Sequence, residues 1–100
     1  MLPKKMQAVV VHGIEDYRLE EVPVPQVGPG EVLIRVLATG VCASDAKTYL
    51  GAARVWGGSG MPAYIQYPVI PGHEFVGRVV ALGEGAGDKY GLSVDDLAVS

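Results

Sequence analysis

Short runs of β-branched and apolar residues, each cut off by glycine or proline, constrain this chain most. Fourteen glycines and seven prolines punctuate one hundred residues. Such punctuation leaves room for strands of five to nine residues and for little long helix. Met6–His12 reads as a strand bounded by Gly13. Tyr17–Val22 reads as a second strand that ends, or lies on a sheet edge, where Pro23 and Pro25 remove backbone donors. Glu31–Thr39 is the strongest strand; both its faces are mostly apolar, which predicts a position deep in the fold. Ser44–Leu50 reads as one or two helical turns, with Ser44 or Asp45 as N-cap and Gly51 as the stop. Residues 51–68 read as a long loop. Phe75–Leu82 is another strong strand, Gly77 marking a bulge or a close backbone approach. A last strand starts at Val94. Five or six strands and one short helix predict a mainly β barrel or sandwich.

Charge and composition exclude several classes. The net charge of −3 argues against a nucleic-acid or anionic-membrane binder, which would carry a basic surplus. With 49% hydrophobic and 19% charged residues, the chain is too apolar for a disordered one. A single cysteine leaves no internal disulfide and no four-cysteine zinc site. No apolar run approaches the ~18–20 residues of a membrane span, and the N-terminus lacks the apolar core of a secretory signal. A cytoplasmic setting is expected.

The residues best suited to chemistry are Cys42, Ser44, Asp45, His73 and Glu74. Thiolate, imidazole and carboxylate are zinc ligands, and a catalytic zinc keeps one position open. Cys42 and His73 each stand where a predicted strand meets a loop, so neighbouring strands would bring them together. Glu74 would need a local backbone bend to join them. Read alone, a single cysteine also fits a small buried hydrophobe, and Gly72-His73-Glu74 fits a polar turn.

Gly40-Val41-Cys42-Ala43-Ser44-Asp45 followed by Pro71-Gly72-His73-Glu74-Phe75-Val76-Gly77 resembles the zinc-dependent medium-chain alcohol and polyol dehydrogenases. Val24-Pro25 with Gly28-Pro29-Gly30-Glu31-Val32-Leu33-Ile34, and Val79-Val80-Ala81-Leu82-Gly83, extend the resemblance over most of the chain. It implies a GroES-like, partly open β-barrel with one short helix. It implies Cys42 and His73 as zinc ligands, and Glu74 as the third in the polyol branch, a later residue serving elsewhere. Ser44 resembles the hydroxyl that hydrogen-bonds the substrate alcohol; Asp45 resembles the carboxylate that orients the zinc-bound histidine. Lys47 stands where some members carry a relay histidine, and reads here as an exposed helix residue. Asp95-Asp96-Leu97 replaces the usual Gly-Asp-Arg turn.

The resemblance also implies NAD or NADP, yet no strand–GxGxxG–helix unit is present. Gly58-Ser59-Gly60-Met61-Pro62-Ala63 fits the loosest such pattern but follows no strand and contains Pro62. Residues 1–100 therefore read as the N-terminal portion of a catalytic domain whose cofactor-binding Rossmann domain is absent from this chain. The implied function is oxidation of a small alcohol or polyol by hydride transfer, with the isolated chain inactive and prone to homo-oligomerise through open strand edges. A zinc-free quinone-reductase-like member and a non-enzymatic GroES-like binding module are the alternatives.

Overall fold

The computed structural model describes Leu2–Ser100 and divides into two compact units. The first comprises the residues up to Val24 together with Val41–Gly72; the second comprises Pro25–Gly40 and His73–Ser100.

In the first unit, β1 (Lys5–Gly13) and β2 (Asp16–Pro23) form an antiparallel hairpin. Its two-residue turn, Ile14-Glu15, puts Glu15 at φ 56; the Glu15 N–H donates to the Tyr49 carbonyl (3.0 Å). The paired residues run to Lys5↔Pro23, and one step beyond, the Val24 N–H donates to the Lys4 carbonyl (2.9 Å). Val10 and Val11 are both buried although neighbours on a strand face opposite ways. A bulge between Val11 and Gly13 falls beside them, and Val11 exchanges two backbone hydrogen bonds with Val69. Helices α1 (Ala43–Tyr49) and α2 (Ala53–Trp56) complete the unit. Tyr49 meets Tyr17 of β2 edge-on, with centroids 5.0 Å apart, fixing α1 against the hairpin.

The second unit is a three-stranded antiparallel sheet in the order β3 (Val32–Thr39), β4 (Phe75–Leu82), β5 (Leu97–Val99). Helix α3 (Ala86–Tyr90) links β4 to β5. Val79 and Ala86 are fully buried. Gly77 is a site of close backbone approach: a Cβ there would stand 2.6 Å from the Arg35 carbonyl oxygen and would also strike the Ile34 side chain. The β3 register shifts opposite it, between Val36 and Ala38.

The chain is mainly β, and its ladders form two open sheets rather than a closed barrel. Several expectations change. Among the described residues, three short helices replace the single one, because the Gly/Pro-rich stretches 51–68 and 83–91 each close a helical turn. The last strand is only Leu97–Val99. Asp95-Asp96 does form a tight turn: Asp95 takes φ 77, and its N–H and the Asp96 carbonyl bond to Val79. β3 is not deep. It is an edge strand, and from Arg35 to Thr39 it is exposed, Val36 and Leu37 at 53% and 55%. Alternation alone cannot distinguish two covered faces from one strand whose neighbours end early. Among the described residues, no helix is long and apolar enough to cross a membrane.

Candidate metal centre

His73 and Glu74 sit at the entrance to β4. The β3–β4 ladder reaches Thr39↔Phe75, and one step beyond it the Gly40 N–H donates to the Glu74 carbonyl (2.9 Å). The end of β3 and the start of β4 are thus held together at the residues that flank both motifs. Gly72 takes φ 114, a conformation that a side chain would strain. His73 and Glu74 are both exposed.

Cys42 is built into the start of α1. It occupies the N-cap with φ −95 and ψ 160, and is half-buried. The Asp45 carboxylate Oδ2 accepts the Cys42 N–H at 2.8 Å, while the Asp45 N–H donates to the Cys42 carbonyl at 3.0 Å. A carboxylate in the first helical turn also complements the helix dipole. The N-cap expected at Ser44 or Asp45 therefore falls on Cys42, with Asp45 as the residue that reaches back. The spacing Cys42-x-x-Asp45 carries that signal, because a carboxylate three residues after the cap can bond the cap N–H. Ser44 is exposed, and its carbonyl accepts the Thr48 hydroxyl at 2.8 Å. Lys47 is exposed, as expected. Burial, and secondarily the Asp45 charge, raise the Tyr17 phenol above its ordinary pKa.

Among the described residues, Cys42, His73 and Glu74 are the group that could hold a metal ion. One thiolate, one imidazole and one carboxylate suit zinc with a fourth position open, whereas magnesium or calcium would call for oxygen ligands throughout.

Residues 28–98 match the alcohol dehydrogenase GroES-like domain family. The chain is 61% identical over 99 residues to an erythritol/L-threitol dehydrogenase of Mycolicibacterium smegmatis, covering 99% of this chain and 27% of that protein. Among solved structures, the 2R,3R-butanediol dehydrogenase of Bacillus subtilis superposes with a TM-score of 0.74 at 34% identity, over 93% of this chain and 26% of that one. A cobalt- and zinc-bound thermostable alcohol dehydrogenase from Pyrobaculum aerophilum does so with a TM-score of 0.73 at 36% identity, over 95% and 26%. The chain thus spans about a quarter of the length of the relatives it matches. Match, fold and motif order agree: the chain belongs to the alcohol dehydrogenase GroES-like domain family.

Proposed function

We propose that the chain is the N-terminal catalytic-domain portion of a zinc- and NAD(P)-dependent dehydrogenase acting on a short polyol. The observation that carries this reading is the 61% identity, spread over 99% of the chain, to an enzyme named for the four-carbon polyols erythritol and L-threitol. The motif residues support it. Cys42, His73 and Glu74 supply the donor set that zinc prefers when one position is left for substrate. When bound there, zinc supplies Lewis acidity that makes a substrate hydroxyl easier to ionise.

The chain's own residues divide the remaining work. Ser44, exposed on the first turn of α1, hydrogen-bonds the substrate hydroxyl through Oγ and relays its proton, accepting it while passing its own hydroxyl proton to solvent. Asp45 holds the Cys42 backbone and orients the His73 ring, fixing which nitrogen faces the metal. The reading assigns cofactor binding to the part of the relatives' length that this chain does not span, which agrees with the absence of a dinucleotide fingerprint from residues 1–100.

The test is turnover in a protein that carries this sequence over the full length of the relatives it matches. NAD and NADP reduction would be followed with erythritol, L-threitol, sorbitol and ethanol, before and after chelation. The expected result is a four-carbon polyol preferred over ethanol, with activity lost on chelation and restored by zinc. Full activity in metal-stripped protein would overturn the zinc assignment, and preference for ethanol would overturn the substrate class.

A further inference from the structure

Helix α1 has seven residues and buries none of them. A helix this short is marginal in water unless its ends are tied. The N-terminal tie is the bond from the Cys42 N–H to the Asp45 carboxylate. The C-terminal turn is held from outside the helix at two places: at Tyr49, by the Glu15 N–H and the Tyr17 ring, and at Thr48, by Trp56. The Trp56 indole Nε1–H donates to the Thr48 carbonyl at 2.7 Å in a part-buried bond. That carbonyl also accepts the Gly51 N–H at 3.2 Å, so two donors satisfy one terminal acceptor. The Thr48 hydroxyl in turn donates to the Ser44 carbonyl at 2.8 Å. A continuous set of bonds therefore runs from the indole to the first turn of the helix.

The indole is itself held in place. Its ring stacks on Tyr67, with centroids 4.2 Å apart and planes 19° from parallel. The N–H groups of Tyr64 and Ile65 bond to the Val55 carbonyl and fold the loop back on α2. We propose that Trp56 is a positioning residue: by holding the C-terminal end of α1, it sets Cys42 and Ser44 at the other end. The inference rests on the reading of those two as site residues. Because α1 has only two turns, loosening one end loosens both.

Cys42 is the single cysteine of the chain, so alkylation of the metal-free 100-residue protein by iodoacetamide reports on that position alone. Three variants decide the matter. Trp56→Phe keeps an aromatic ring against Tyr67 but loses the indole donor. Tyr67→Leu keeps the donor but loses the stack. Tyr64→Ala removes an exposed aromatic from the same loop. Labelling is expected to be about two- to tenfold faster in the first two, the change that losing the indole bond, or losing the stack that aims it, makes to a local opening equilibrium. It should be unchanged in Tyr64→Ala. The extra labelling should be nearly insensitive to low denaturant, as local opening is and global unfolding is not. Wild-type rates in both Trp56→Phe and Tyr67→Leu would overturn the proposal. So would acceleration that appears only along the global unfolding transition, which would make Trp56 a packing residue. The labelling needs no metal: a wild-type protein that takes up no zinc fails the functional reading and leaves this test standing.

Discussion

Asp45 carries two duties that substitution can separate. Its carboxylate caps α1 through the Cys42 N–H, and on the proposed reading it also orients His73. Asp45→Asn keeps an oxygen acceptor for the cap but loses the charge. Asp45→Ala loses both. Chelator competition should show zinc held roughly 10–100-fold more weakly by either variant. Thermal unfolding should show the additional loss of about 0.5–2 kcal/mol only for alanine. Equal unfolding midpoints for the two variants would remove the capping duty, and unchanged zinc affinity would remove the other. Tyr17 gives a pH dependence of known sign. Its phenol is raised above 10.0, chiefly by burial, so the folded state keeps a proton that the unfolded chain releases. The stability this contributes is complete below pH 10 and is lost as pH rises through the folded value. Tyr17→Phe should flatten the alkaline fall in denaturant midpoint. An equally steep fall in that variant would assign the effect to another group.

At the scale of elements, the packing of β4 on β3 depends on the absence of a side chain at Gly77. An added methyl would meet the Arg35 carbonyl oxygen at 2.6 Å, and backbone there has little freedom to yield. Gly77→Ala should cost about 1–3 kcal/mol in urea unfolding, as overpacking does; a change under about 0.5 kcal/mol would show that the ladder relaxes. The sequence announced this strand well. Phe75–Leu82 was legible to the residue, because a β-branched run between Gly72 and Gly83 admits one register. β1 and β2 were legible within one or two residues for the same reason. The depth of β3 was not, since burial depends on what lies across the sheet and not on the strand's own alternation. Neither were α2 and α3, four and five residues long, whose helical turns are set by neighbouring backbone bonds rather than by an apolar period. The candidate site was named from residue types alone. Cys42, Asp45, His73 and Glu74 were marked by chemistry and motif order, but the N-cap of α1 was misplaced by two or three residues. Trp56 was visible only as an aromatic in a loop; its bond to Thr48 is a tertiary contact that no local pattern encodes.

At the scale of the whole molecule, two features stand out. Among the described residues, β5 pairs with β4 alone, and Leu97 and Val99 are 58% and 77% exposed. An open strand edge carrying apolar residues invites pairing with a second copy. Sedimentation velocity should show concentration-dependent association that Leu97→Lys with Val99→Lys suppresses; a monomer at every concentration would contradict it. The second feature is the donor set that the proposed function assigns to one metal: Cys42 from the motif after β3, with His73 and Glu74 from the motif before β4. The central claim is that Cys42, His73 and Glu74 hold one zinc, and metal substitution tests it most directly. The protein would be stripped, reloaded with cobalt, and its visible spectrum and metal content read for the wild type and for Cys42→Ser, His73→Ala and Glu74→Gln. We expect one ion per chain with a thiolate-to-cobalt charge-transfer band in the wild type. The band should be lost in Cys42→Ser, and the affinity should fall at least tenfold in the other two. Wild-type metal content and affinity in all three variants would contradict the account.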